Sequence, residues 1–288
     1  MFQYYTGLSE DMFEIIHSLC SNVTFNYYLG WNVTCFLLKD QILMTLMKLK
    51  LNLGHKDIAF RFNTSSSTVS NVTLTFIILL HDILFKSLVD NVPSQLKNQL
   101  CLPNCFQSFQ NCRMIIDCTE VSCDIPKQLD QQKLTYSNYK HRNILKGLTG
   151  IAPNGVITFV SKLYPGSISD KKIVADYGVL NIFQPGNLIL ADRGFLISDL
   201  PSGVNLNIPP FLVSPQFTPS EVVKTKNIAR ARIHVERAIQ RLKEYHMLSH
   251  IPKCLYVKAS IVFQLCAALV NFRNPLIKEV DKLYISED

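Results

Sequence analysis

The chain has 288 residues, 48% hydrophobic and 18% charged, with 29 Lys+Arg against 22 Asp+Glu and a net charge of +7. At about 150 residues per domain this length suggests two domains, with a core large enough to need no disulfide staples. A charged share below the ~25% of ordinary soluble proteins excludes a disordered acidic or basic tail, and the mild excess of cations permits a nucleic-acid partner without demanding one.

Met1–Gly7 has no basic stretch followed by an apolar run, so no secretory leader is expected. The next elements read as helices. Asp11–Cys20 carries Phe13, Ile15, Ile16 and Leu19, compatible with one apolar face. Lys39–Leu53 is a run of good helix formers with Leu43, Leu46, Met47 and Leu49, and Gly54 is expected to end it. A short segment follows at His55–Phe62, and then Asn63-Thr64-Ser65 signals a turn and an N-cap. A helix from Ser66 to about Leu84 places Val69, Val72, Phe76 and Leu80 on one face. A long helix, a short helix, a tight turn and a Ser/Thr/Asn-surfaced helix make a helix-turn-helix pattern over about residues 39–85. It would present Ser66, Ser67, Thr68 and Asn71 to DNA, since hydroxyls and amides can bond bases or phosphates. The longest apolar runs, Phe76–Leu80 and the stretch around Ile261–Val270, fall short of the ~18 residues that span a bilayer, so no membrane partner is expected.

Asn91–Phe109, with two prolines and little periodicity, reads as a linker after a helical region of residues 1–100. The pattern then changes to apolar runs of strand length. Met114-Ile115-Ile116 ends at Asp117, and Leu188-Ile189-Leu190-Ala191 ends at Asp192. Asn154-Gly155 is a hairpin turn between Ile144–Ala152 and Val156–Leu163. Ser169–Asp176 is a short helix in which Ser169 could cap and Asp170 favour the N-terminus. Ser220 to about Tyr245 is a long helix, so residues 110–273 read as a mixed α/β domain, with a tail over 274–288. Nine cysteines, an odd number with no Cys-x-x-Cys pair, point to reduced thiols rather than a zinc site or a disulfide frame.

Residues 1–100 hold seven cations and seven acids, so the whole +7 lies downstream. One cluster, residues 127–146, includes Lys140, Arg142 and Lys146. The other, residues 220–246, includes Arg230, Arg232, Arg237, Arg241 and Lys243. Either could be a solvated face unless it flanks chemistry. Asp117 and Asp192 each follow an apolar strand, where ligand crevices of α/β sheets lie. Two acids on neighbouring strands could share a hard divalent cation, which prefers oxygen ligands. Glu236 borders the packed stripe Val235, Ile239 and Leu242, and shares a helix face with Arg232 and Gln240.

Three segments, Ile115–Glu120, Leu190–Phe195 and Arg232–Arg237, resemble the acidic blocks of the DDE superfamily endonuclease domain of PIF/Harbinger-type transposases. Tyr139–Asn143, Gly147–Gly150, Tyr164–Asp170 and Asn207–Leu212 are similar to the blocks between them, in the same order. Asp117 and Asp192 are 75 positions apart, and Asp192 and Glu236 are 44 apart. Lys39–Leu84 is similar to the helix-turn-helix that precedes this domain in many members, and Tyr4–Leu8 to a segment upstream of it.

The resemblance implies an α/β (α+β) architecture: an RNase H-like mixed sheet flanked by helices, preceded by an all-α helix-turn-helix module. It implies Asp117, Asp192 and Glu236 as catalytic residues and ligands of two divalent ions, Mg²⁺ or Mn²⁺, with Asp170 a further candidate ligand. Two such ions stabilise the attacking and leaving oxygens of an in-line displacement at phosphorus. Lys140, Arg142, Arg193, Arg230, Arg232, Arg237, Arg241 and Lys243 would then supply the attraction for phosphate that the acids oppose. DNA is the implied partner and the nucleus the implied location. A homo-oligomer or a separate DNA-binding partner protein is left open. Many relatives carry an amino-terminal zinc-binding module such as a THAP domain, and none is expected here. The alternative reading is a domesticated DNA-binding or scaffold protein that cuts nothing.

Overall fold

The computed structural model describes residues 1–89, 92–192, 194, 195, 197, 200–209 and 218–277. In chain order these form α1 (Phe2–Thr6), α2 (Glu10–Ser21), α3 (Leu38–Leu51), α4 (His55–Arg61), α5 (Ser66–Leu80), α6 (Gln95–Leu100), β1 (Cys112–Cys123), α7 (Leu129–Thr135), β2 (Tyr136–Ser137), β3 (Arg142–Ile151), β4 (Ile157–Val160), β5 (Tyr164–Pro165), α8 (Asp170–Tyr177), β6 (Leu188–Leu190), β7 (Asn205–Asn207), α9 (Pro219–Lys243), β8 (His250–Ile251) and α10 (Ala259–Asn271). The chain divides into two compact units: residues 1–90, 121–125 and 241–273, and residues 91–120, 126–240 and 274–288. The units therefore do not follow a single cut near residue 100.

In the first unit, Ser9 caps α2 by accepting from the Met12 N–H at 3.4 Å, with Glu10 and Asp11 in the first turn. The buried face of α2 is Phe13, Ile16 and Cys20. Ile15 and Leu19, expected on that face, are 45% and 39% exposed. Ile15 is two residues from Phe13, about 200° round a helix, so the two cannot share one side. α3 ends at Asn52, not Gly54: Asn52 takes the left-handed conformation (φ 52°) and Gly54 becomes the N-cap of α4. Ser65 caps α5 through the Thr68 N–H. α5 packs on α3 and α4, and it runs on past Leu80 as a π-helical stretch, His81–Val89.

That continuation overturns one expectation. Ser66–Val89 (24 residues) and Lys253–Asn271 (19 residues) are both long and apolar enough to cross a bilayer by length and composition alone. More than half of each apolar window, 61% and 56%, is buried within the protein. Both are packed helices of the first unit, where His81 and Gln264 meet at 2.9 Å.

The second unit is built on a mixed sheet. Its strand order is β2-β3-β1-β6-β7, with β4 and β5 also paired to β3. β1 pairs parallel with β6, β6 runs parallel to β7, and β3 pairs antiparallel with β2, β4 and β5. Helices and short 3-10 turns pack on it through Met114, Ile116, Leu148, Phe159, Ile173, Val174, Val179, Phe183 and Ile189. The expected α/β fold with a mixed sheet flanked by helices and an N-terminal helical region is what the structure has. The Asn154-Gly155 hairpin joins β3 to β4, with Gly155 at φ 88°. Burial continues through all of β4 and through most of β3 toward that turn.

The presumed linker is packed structure. Ser94 caps α6 through the Lys97 N–H, Phe106 is fully buried in a 3-10 turn, and Asn98 Nδ2 donates to the Arg113 carbonyl at 3.0 Å. β1 also outruns its expected end. Cys112–Ile116 are buried on both faces, and beyond them burial alternates to Cys123. Asp117 therefore lies within a strand rather than after one. α9 opens on a capping box: Thr218 N–H donates to Glu221 Oε2 at 2.8 Å and Glu221 N–H to Thr218 Oγ1 at 3.3 Å.

Candidate active site

Strand register brings the first two acids together. β1 and β6 are matched at Met114–Ile189 and Ile115–Leu190. Two residues further along each strand's path come Asp117 and Asp192, so the parallel pairing delivers both carboxylates just beyond the matched stretch of β1 and β6. Asp117 is half-buried, and its Oδ1 accepts from the Cys118 N–H at 2.9 Å. Burial pushes its carboxyl up from 3.8 to about 6. The Arg232 guanidinium and the Cys118 N–H pull the other way, while Asp192 and Glu236 add to the rise. Asp192 and Glu236 thus both act on Asp117 electrostatically.

The third element is α9. Val235, Ala238, Ile239 and Leu242 are buried on it, and Glu236 is exposed at the border of that stripe. One turn earlier Arg232 reaches across the acids. Its Nη1 lies 3.2 Å from Asp192 Oδ1 and its Nη2 lies 3.9 Å from Glu236 Oε1. The arginine side chain is 12% exposed, against 53% for Asp192 and 58% for Glu236. Sequence reading marked Arg232 as a phosphate contact; in the structure its nearest charges are the acids.

Asp170 is the first residue of α8, whose Ser169 cap accepts from the Lys172 N–H. Its carboxylate takes a 3.2 Å ion pair from Lys146 on β3. A side chain at Gly194 would begin 3.5 Å from Asp170 Oδ2. Burial, then Asp170 and Asp117, push the intervening Cys118 thiol upward.

The remaining cations vary in placement. Lys140, Arg142, Arg230 and Arg237 are exposed in the second unit, Lys140 and Arg142 on either side of the left-handed turn residue His141 (φ 51°). Arg241 and Lys243 end α9 and belong to the first unit. Arg193, Pro210-Phe211-Leu212 and residues 278–288 of the tail lie outside the described residues. On the helix-turn-helix, Ser67 is exposed and Ser66 and Thr68 are partly so. Asn71 is fully buried, which corrects its assignment to DNA: Oδ1 accepts from the Leu29 N–H at 2.9 Å and Nδ2 donates to the Trp31 carbonyl at 2.8 Å. Thr68, one turn before Asn71 on the same face, is itself only partly exposed.

Sequence reading missed a part-buried pair: Cys105 Sγ and His234 Nε2 are 3.3 Å apart, and His234 is 7% exposed. His234 is two residues from Glu236, a spacing that places it on another side of the helix. It also missed Arg113, buried at the start of β1, where burial lowers the guanidinium pKa. Nothing in the pattern of apolar residues marks either as buried. None of the nine cysteines forms a disulfide.

The donor chemistry of the three carboxylates suits a hard divalent ion. The distances as they stand do not close around one: among the described residues, no three His, Cys, Asp or Glu side chains come close enough to hold an ion.

A mixed α/β unit with acids on two parallel strands and a following helix, in a chain that also carries a helix-turn-helix, defines the class of the protein. The model of the DDE superfamily endonuclease matches residues 116–271, and that of the helix-turn-helix of DDE superfamily endonuclease matches residues 36–86. The chain belongs to the DDE superfamily endonucleases. No curated protein and no solved structure matches it.

Proposed function

We propose that this protein is a transposase-like DNA endonuclease of the PIF/Harbinger kind, acting on DNA phosphodiesters in the nucleus. The observation that carries the reading is the gathering of Asp117, Asp192 and Glu236 about one guanidinium, in a chain whose family cuts DNA. Asp117, Asp192 and Glu236 are the side chains that would hold divalent ions. Bound there, Mg²⁺ or Mn²⁺ would supply charge stabilisation for the oxygens entering and leaving phosphorus.

The chain's own residues do the rest. Asp117, fixed in β1, sets the position of the acid group. The exposed Lys140, Arg142, Arg230 and Arg237 draw the phosphate backbone toward a centre that would otherwise repel it. In strand cleavage, a water oxygen forms the new P–O bond as the bond from phosphorus to the 3′-oxygen breaks. The water gives up a proton to solvent and the leaving oxygen takes one up, leaving a 3′-hydroxyl and a 5′-phosphate. The same 3′-hydroxyl acting as nucleophile would join the end to a second DNA. The helix-turn-helix, through Ser66, Ser67 and Thr68, holds the duplex.

A second reading, DNA binding without cleavage, draws on the Arg232–Asp192 ion pair and the open distances among the acids. Incubating supercoiled plasmid with Mg²⁺ or Mn²⁺ separates the two. Nicking by the wild type, lost in Glu236→Gln, is expected; a wild type that binds DNA and Mn²⁺ but never nicks would leave the second reading in place.

A further inference from the structure

The acids and Arg232 are the part of the molecule whose arrangement departs furthest from what the family's chemistry asks. Three carboxylates of a cation site should repel one another and stand open to solvent. Here a guanidinium lies among them. It is only 12% exposed, while Asp192 and Glu236 are more than half exposed. Arg232 Nε is also buried and makes no hydrogen bond among the described residues. Only the two terminal nitrogens engage the acids, one toward Asp192 and one toward Glu236. A fork spread over two carboxylates is a bridge rather than a bidentate clamp on one, and it leaves the guanidinium short of hydrogen bonds. A group held this way is displaceable, because a competing cation that neutralises the acids removes most of what keeps it there.

We propose that Arg232 is a resident counter-ion of the acid site, and that a divalent ion reaches Asp192 and Glu236 by displacing it. The inference rests on the proposed function and goes beyond it in assigning a charge exchange to this residue. In the metal-free chain the guanidinium offsets the mutual repulsion of Asp117, Asp192 and Glu236. On loading, the ion takes over that role and the arginine is released. The released guanidinium then has no acid to satisfy it and meets a DNA phosphate instead, on a duplex drawn in by the exposed Arg230 and Arg237 of the same helix. Metal and DNA therefore assist each other's binding, and by linkage each does so to the same extent. Arg232 acts through the carboxylates, so it is a positioning residue of the metal site.

The test is Mn²⁺ binding by the full chain, followed calorimetrically at neutral pH with no DNA present. Arg232→Gln is expected to bind Mn²⁺ about fivefold more tightly than the wild type, roughly the factor that an ion pair with one exposed partner is worth. Arg232→Lys, which keeps the charge, is expected to return the affinity most of the way to the wild-type value. Lys226→Gln, which removes a charge elsewhere on the same helix, is expected to leave it nearly unchanged. A merely structural role would loosen the site and weaken binding, so the sign of the change is diagnostic. If the wild type binds Mn²⁺ and Arg232→Gln binds equally or less tightly, the counter-ion role is overturned and the metal site stands. If neither protein binds Mn²⁺, or if binding survives Asp117→Asn combined with Asp192→Asn, the metal site itself is wrong and the proposal falls with it.

Discussion

Replacing Asp117 by Asn should make the protein more stable at pH 8 and leave it almost unchanged near pH 4. The carboxyl is half-buried, and its folded value of about 6 lies above the ordinary 3.8. Between those two values the folded chain holds a proton that the unfolded chain has already lost. Stability therefore falls as pH rises through this window, and stays lower above it. The gap corresponds to about 3 kcal/mol at roughly 1.4 kcal/mol per pH unit. That figure is already net of the help from Arg232 and the Cys118 N–H, because both act on the charged form. Asparagine has nearly the same shape and keeps an oxygen for the Cys118 N–H, so little else changes. Urea unfolding in the presence of a chelator, with wild type and variant compared at pH 4 and pH 8, reads the difference. A gain on the order of 1–3 kcal/mol at pH 8, shrinking toward zero at pH 4, is expected. An equal gap at both pH values, or a variant weaker at pH 8, would refute the claim that burial of this charge costs stability.

Asn71→Ala should lower stability by about 1–2 kcal/mol in urea unfolding, since it strands the part-buried Leu29 N–H and Trp31 carbonyl. A variant that kept wild-type stability but lost DNA affinity would instead return Asn71 to the DNA surface. Lys140→Ala with Arg142→Ala should weaken binding to any duplex sequence and reduce the slope of log affinity against log salt by about 2, measured by fluorescence anisotropy. Glu244→Gln should cost up to about 1 kcal/mol at pH 7 and progressively less as the pH falls below the ordinary 4.5, measured by thermal melting. Burial opposes the charge on Glu244, but Arg273 at 2.8 Å and Lys50 at 3.3 Å outweigh it and lower its pKa, so the stabilisation is present at neutral pH and lost as acid protonates the carboxylate.

Much of the site was readable because the same local signal occurred twice. An apolar run ending in Asp marks both Asp117 and Asp192, and parallel pairing turns equal offsets into proximity. α8 and the β3–β4 hairpin were equally plain, since Ser169 and Asn154-Gly155 are local devices whose effect does not depend on distant packing. What failed was long-range. β1 continues past Asp117 because a partner strand and buried neighbours sustain it, while Cys118–Cys123 carries too few large apolar residues to announce a strand. The face of α2 was misread because four apolar residues allow more than one side to be chosen, and only packing decides among Phe13, Ile15, Ile16 and Leu19. Asn71 looked like a DNA contact because a buried amide with two backbone partners has the same letter as an exposed one. The pairing of Arg232 with the acids was half-visible: its i,i+4 relation to Glu236 is in the sequence, but its 3.2 Å approach to Asp192 spans 40 residues of chain.

The capture of Asp117 inside β1 divides the acids by how freely each can move. Its backbone is held in a strand with neighbours on both edges, and the Cys118 N–H fixes one carboxylate oxygen. Asp192 stands past the end of β6, and Glu236 reaches from a helix on a longer side chain. On the proposed metal reading, closing these acids around an ion would be a one-sided adjustment, with a stationary post and two arms that travel to it. The post can tolerate no change of length. An added methylene at 117 would push its carboxylate out of register with everything that must meet it, whereas the arms have room to absorb one.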